Sequence, residues 1–277
     1  MTKRVLVTGA TGFIGWHCLP LLLEAGYEVH AASVDAPERD DDEHGIHWHR
    51  IDLLNAILTD ELLARVQPSH LLHFAWYAAP GKYWSSPENL RWVQASLSLI
   101  QSFRLHGGRR VVMAGTCAEY DWNYGYCSEA LTPLAPATLY GTSKHSLQLL
   151  LRAYAEQSDL SAAWGRIFFL YGPREHPSRL VASVIRSLLR RETADTSHGA
   201  QIRDFLHVQD VAGAFVALLS SEVTGAANIA SGEPVRLKDI ILRSADQLNG
   251  RELVRFGAIP TSPTEPPLLV ANTRRLH

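Results

Sequence analysis

Thr8-Gly9-Ala10-Thr11-Gly12-Phe13-Ile14-Gly15 decides the fold. Residues 3–7 before it form a short run that is apolar from Val5, with no polar alternation, which suits a strand buried on both faces of a parallel sheet. Residues 13–24 after it carry a helical pattern that Gly26 ends. In the Gly9-x-x-Gly12-x-x-Gly15 spacing, the first glycine allows a tight turn, the second lets backbone approach a pyrophosphate, and the third lets helix pack on strand. The helix start offers free N–H groups and a positive dipole end to phosphates. Gly9, Thr11, Gly12, Phe13 and Ile14 are therefore expected to hold a dinucleotide.

Outward from the loop, strands are expected at 27–32, 48–52, 70–75, 110–114 and 162–169. Helices are expected at 59–66, 87–106, 138–158 and 179–191. This alternation implies right-handed crossovers and an α/β fold with a doubly wound parallel sheet of Rossmann type. The alternation loosens after Tyr171-Gly172-Pro173, and four prolines in 260–267 exclude regular helix or central strand there. The expected division is a dinucleotide-binding domain at 1–171, with 202–230 returning to it. A small substrate-binding lobe is expected from 172–201 and 231–277, over the C-terminal edge of the sheet, with Arg203 facing the cleft.

Composition removes several classes. The chain has 277 residues, 46% hydrophobic and 19% charged, enough for a large core. A formal net charge of −2 gives no electrostatic case for nucleic acid or an anionic membrane. Three cysteines argue against a disulfide framework. No secretory signal or membrane-spanning stretch is read, so a soluble cytoplasmic protein is expected. His44, His47 and His49 alternate around Trp48; they suit a small metal patch, although a strand edge and its loop explains them too.

Tyr140 and Lys144 lie four apart on an expected helix, so they share one face. Tyrosine is a poor proton carrier at a pKa of about 10, and a nearby ammonium is expected to lower it. Thr116 follows the fifth strand at the sheet edge where ligands bind, and its hydroxyl can hold a substrate oxygen. Asp52, at the expected end of the third strand, can accept from an adenine amine or simply cap a helix.

The chain resembles the extended short-chain dehydrogenases/reductases, the nucleotide-sugar epimerase, dehydratase and reductase group. The resemblance rests on residues 8–15, His73-Phe74-Ala75-Trp76, Gly115-Thr116-Cys117-Ala118-Glu119-Tyr120, Tyr140-Gly141-Thr142-Ser143-Lys144, and 166–173. It rests also on Arg203-Asp204-Phe205-Leu206-His207-Val208-Gln209-Asp210-Val211 and Asn228-Ile229-Ala230-Ser231-Gly232-Glu233. It implies that Thr116, Tyr140 and Lys144 are catalytic. Ser33, Asp52, Leu53, Phe74, Ala75, Trp76, Tyr140 and Lys144 would join the glycine loop around the cofactor, and Cys117, Arg179 and Arg203 would touch substrate, Arg203 at a phosphate. Both long helices are expected to pair across a two-fold axis in a homodimer, with Leu97, Ile100, Leu147 and Leu151 among the apolar residues.

The departures narrow the reading. Phe169 stands where relatives carry a diphosphate-binding Asn, Trp92 where they often carry a tetrad Asn, and Trp76 where a small residue is usual. Cys117 and Ala118 replace the Asp-Glu pair of the dehydratases, and the usual Cys-His of 3,5-epimerisation is missing. A sugar-nucleotide 4-ketoreductase or 4-epimerase is the leading expectation. A reductase of non-sugar carbonyls and a non-catalytic dinucleotide-binding module are the alternatives. NADP or NAD is the expected cofactor: Ser33 leaves room for a 2′-phosphate and Arg39 can pair with it, whereas Asp35 lies near the place of a ribose-binding acid.

Overall fold

The computed structural model describes residues 3–37, 45–262 and 265–276. Arg39, His44 and most of the acidic segment therefore lie outside the described residues. In chain order the first half contains β1 (Arg4–Thr8), α1 (Phe13–Glu24), β2 (Glu28–Ser33), β3 (Ile46–Arg50), α2 (Ala56–Val66), β4 (His70–His73), α3 (Glu88–Leu105), β5 (Arg110–Thr116), β6 (Tyr126–Cys127) and α4 (Leu139–Ser158). The second contains β7 (Ser161–Ile167), β8 (Phe169–Tyr171), α5 (Leu180–Leu189), β9 (Ala194–Asp195), β10 (Ile202–His207), α6 (Val208–Ser220), β11 (Gly225–Ile229), β12 (Pro234–Arg236), α7 (Leu237–Gln247), β13 (Val254–Arg255) and β14 (Leu268–Ala271).

Seven strands form one parallel sheet in the order β11-β7-β5-β4-β1-β2-β3. The order reverses between β1 and β4, which opens a crevice beyond their C-terminal ends. Val5, Val7, Val29 and Ala31 pack on one face with Leu19 and Leu22 of α1 and with Val211 and Phe215 of α6. Leu6, Leu71, Val111 and Met113 pack on the other with residues of α2, α3 and α4, among them Leu63, Phe103 and Leu147. Strands facing apolar helices on both sides are continuously hydrophobic, which is why β1 and β4 show no alternation.

A second sheet, β12-β10-β14-β6 with β8 beside β10, is assembled from distant segments. The strand at 202–207 thus pairs in this smaller sheet, and the chain returns to the main sheet only with α6 and β11. The expected 162–169 strand is two strands, β7 in the main sheet and β8 in the small one. Asp204 is fully buried at their junction: its carboxylate accepts from the Ser231 N–H (2.7 Å), the Ser231 hydroxyl (2.7 Å), the Gly232 N–H (2.9 Å) and the Ala271 N–H (3.2 Å). The acid of the Arg-Asp motif is therefore a structural clasp. α5 and α7 pack together beside the short β9–β13 pair.

Two local expectations are corrected. The third strand ends at Arg50, because Asp52 turns the chain, accepting from Leu54 N–H (3.0 Å) through its side chain and Asn55 N–H (3.0 Å) through its carbonyl. Of the residues expected to pair two copies, Ile100, Leu147 and Leu151 are 0–3% exposed and pack on the sheet. The exposed apolar groups of these helices are Leu90, Leu105, Leu149 and Leu150.

Candidate active site

The glycine loop leaves β1 at the crevice. Gly9 has φ +66°, and a Cβ there would lie 2.8 Å from the Ala75 nitrogen; a Cβ on Gly15 would collide with the Gly9 carbonyl oxygen. Only glycine permits this approach of the loop to the ends of β4 and α1. Gly12 caps α1 with no side-chain acceptor, so the first-turn N–H groups are left to a ligand. Phe13 and Ile14 open that turn, half-buried. Thr11 Oγ1 meets Ser33 Oγ at 2.6 Å, tying loop to the end of β2. Asp35 is exposed two residues on. Leu53 is buried and Asp52 exposed at the neighbouring turn. Phe74 packs edge-on against Phe215 (4.9 Å), and Ala75 is buried against the loop. The uncapped start of α1 thus offers free N–H groups at the crevice, the arrangement that suits an anion.

Thr116 ends β5 and is 8% exposed. Its hydroxyl accepts from the Ala118 N–H (3.2 Å) and lies near the Tyr140 hydroxyl. Tyr140 sits in the first turn of α4, whose cap Thr138 accepts from the Gly141 N–H at 3.1 Å. Lys144 is one turn on and buried; its ammonium donates to the Ala114 carbonyl (2.9 Å) and lies 3.8 Å from the Trp76 ring centre. Burial pushes Lys144 down to about 7, with Glu119 pulling the other way. Burial also raises the Tyr140 phenol, and the Tyr83 phenol adds to the rise, opposed by the Thr116 hydrogen bond. The net direction for Tyr140 is thus upward, opposite to the lowering expected from Lys144, because burial dominates.

An aromatic wall surrounds Tyr140: Tyr83 at 4.8 Å, Trp84 at 5.8 Å and Trp76 at 6.5 Å, all edge-on. Fully buried Asn89 secures it, accepting from Trp76 Nε1 (2.9 Å) and donating to the carbonyls of Tyr83 (2.7 Å) and Ser86 (2.9 Å). Asn89 lies one turn before Trp92, and the sequence reading passed over it; a polar residue on the inward face of the first turn of α3 was its only signal. Arg179 caps α5 and reaches the Tyr83 ring (5.5 Å). Cys117 is buried beside the threonine, and burial raises its thiol.

Arg203, expected to face the cleft between the lobes, is 2% exposed. It pairs with Glu265 (2.9 Å) and lies over the Phe169 ring (5.3 Å). Beneath Thr116 lies a network that the sequence reading also missed. Glu119 Oε1 accepts from Thr116 N–H (2.9 Å) and Trp164 Nε1 (2.8 Å), and Oε2 from Arg166 Nε (2.7 Å). Arg166 donates to the Tyr120 hydroxyl (3.2 Å), which donates to Asn228 (2.7 Å). His73 is buried between Thr8 (2.6 Å) and Ser96 (3.0 Å) and is a packing histidine.

A doubly wound sheet with a glycine loop at its reversal point defines a Rossmann-type α/β protein. The chain belongs to the NAD dependent epimerase/dehydratase family, whose model matches residues 5–230. It is 28% identical to UDP-glucuronic acid decarboxylase 1 of Xenopus tropicalis, covering 82% of this chain and 56% of that one, so it spans little more than half of that relative. It is 25% identical to the dTDP-6-deoxy-L-talose 4-dehydrogenase (NAD(+)) of Aggregatibacter actinomycetemcomitans, over 93% of this chain and 95% of that one. Among solved structures it is similar to UDP-glucose 4-epimerase of Thermus thermophilus in complex with NAD, at a TM-score of 0.84 and 26% identity, covering 99% and 92% of the two chains.

Proposed function

We propose that the protein is an NAD(P)-dependent enzyme acting at C4 of a nucleotide sugar, as a 4-ketoreductase or a 4-epimerase, through Thr116, Tyr140 and Lys144. The carrying observation is the placement of Thr116 at the end of β5 and of Tyr140 in the first turn of α4, with Lys144 one turn on and its ammonium bonded to the Ala114 carbonyl of the same strand. The scope of the family, epimerases and dehydratases, and the full-length likeness to a 4-dehydrogenase support it. The dinucleotide, when bound, supplies or accepts the hydride.

In the reducing direction, the Thr116 hydroxyl donates to the substrate carbonyl oxygen and fixes its position. As the carbonyl carbon gains hydride, its π pair moves onto oxygen and takes the Tyr140 proton, leaving a phenolate. The Lys144 ammonium stabilises that phenolate, and solvent returns the proton. The oxidative half of an epimerisation runs the same steps backwards. The cofactor reading is that NADP is accepted as well as NAD, because β2 ends in neutral Ser33, where a carboxylate would close the space for a 2′-phosphate. The test is turnover of a panel of keto- and hydroxy-sugar nucleotides with each cofactor.

A pH dependence follows from Lys144. With its pKa near 7 in the free protein, the ammonium is present below neutrality and lost as pH rises. kcat/KM for reduction reports free-protein groups, so it is expected to fall as pH climbs through about 7. A profile flat from about pH 6 to 9 would contradict this role.

The protein is further proposed to act as a homodimer through α3 and α4. Leu90 (55% exposed), Leu105 (77%), Leu149 (40%) and Leu150 (49%) are the apolar groups left on those helices. Light scattering at micromolar concentration is expected to give twice the chain mass; a monomer sinks it.

A further inference from the structure

We propose that Glu28, His30 and His47 form a site for a borderline divalent metal ion, Zn²⁺ as the reference case, with His49 supporting His30 from behind. Side chains two apart share a face of a strand, so Glu28 and His30 point the same way on β2, as do His47 and His49 on β3. The parallel register sets His30 directly beside His47 and Ala32 beside His49. The alternate residues of β3, Ile46 and Trp48, pack into the core on the opposite face. Hydrophobic patterning therefore fixes the strand so that both histidines emerge together.

The ligand atoms of Glu28, His30 and His47 all lie within 4.8 Å of one another. The His30 and His47 rings are stacked at 4.8 Å and 24°. His30 Nε2 faces Glu28 Oε1 at 3.2 Å, and its Nδ1 faces His49 Nε2 at 3.0 Å. Metallation of His30 at Nε2 leaves Nδ1–H to donate to His49, the outer-shell arrangement that fixes tautomer and ring orientation. The groups line a cavity of about 290 Å³ with Arg4, Arg65 and Val66. Two imidazoles and a carboxylate with room for water make a donor set that suits Zn²⁺ and its neighbours. Arg4 lies 3.6 Å from Glu28, so a cation must compete with it for the carboxylate.

Glu28 opens β2 at the sheet edge opposite Ser33 and the glycine loop. The ion would pin the edge strand β3 to β2 without touching the reacting atoms. Calorimetric titration of the untagged full chain with Zn²⁺ tests this. One ion per chain is expected, with Kd of about 1–10 µM. His47→Ala is expected to weaken binding at least ~30-fold. His49→Ala, which removes only the outer partner, is expected to cost ~10-fold. Replacing the exposed, distant His176 should change nothing, and unchanged circular dichroism and dinucleotide binding confirm that the variants are folded. The proposal is overturned if the protein takes up no Zn²⁺ at about 100 µM. It is equally overturned if a bound ion is indifferent to both His47→Ala and Glu28→Gln, since other histidines then hold it.

Discussion

Replacing Tyr140 with Phe is expected to lower turnover by ~10²–10⁴-fold, the usual worth of a positioned general acid, while leaving fold and dinucleotide affinity intact. The substitution removes one oxygen and keeps the ring that packs against Tyr83, Trp84 and Trp76. The lost group is the hydroxyl that lies near Thr116. Thr116→Ala is expected to reduce turnover at unchanged cofactor affinity, and Thr116→Ser to be mild. Lys144→Ala is expected to harm more broadly, since it also removes the cation seated on Trp76 and the Ala114 carbonyl. Steady-state kinetics beside dinucleotide titration separates these effects. Near-full activity of Tyr140→Phe would mean that the proton comes from elsewhere.

Glu119→Ala is expected to destabilise the fold by ~3–5 kcal/mol, the cost of leaving one partner of a buried ion pair uncompensated. Arg166 is 2% exposed and would keep only the Tyr120 hydroxyl as a side-chain partner. The Trp164 indole N–H and the Thr116 N–H would also lose their acceptor. In a chain of this length the loss is expected to lower Tm by roughly 10 °C. Glu119→Gln keeps the shape but removes the charge that holds up the Lys144 pKa. Its kcat/KM profile should therefore fall at lower pH than the parent's. Pairing Glu119→Ala with Arg166→Met should recover part of the stability, because no charge is then stranded. A scanning-calorimetry Tm within about a degree of the parent's for Glu119→Ala would contradict this account.

Much of the fold was legible because its signals are local. α1 runs over the residues its pattern marked, since Gly26 stops it and the glycine loop starts it. The main sheet follows from apolar runs alternating with helices. The small sheet was not legible: β6, β8, β12 and β14 are two to four residues each, and their partners lie far away in sequence. Site chemistry divides the same way. Thr116, Tyr140 and Lys144 stand in recognisable spacing, and the fold brings them together. Glu119 reads as an ordinary loop acid until Trp164 and Arg166 of β7 close over it. Burial likewise decides the direction of the Tyr140 pKa, the sequestration of Arg203 by Glu265 and the anchoring role of Asn89, and spacing carries no record of it.

The central claim is hydride chemistry on a sugar nucleotide, and the most direct measurement uses the pure protein with NADH, NADPH and their oxidised forms. Each is incubated with a panel of UDP-, dTDP- and GDP-linked keto- and hydroxy-sugars. Absorbance of the reduced nicotinamide reports net redox, and chromatography reports epimers formed without it. The account predicts that at least one substrate is reduced, oxidised or inverted at C4, and that Tyr140→Phe suppresses that reaction. Tight dinucleotide binding with no turnover of any sugar nucleotide would contradict it and favour a binding module; reduction confined to carbonyl compounds without a nucleotide would contradict it in favour of a non-sugar reductase.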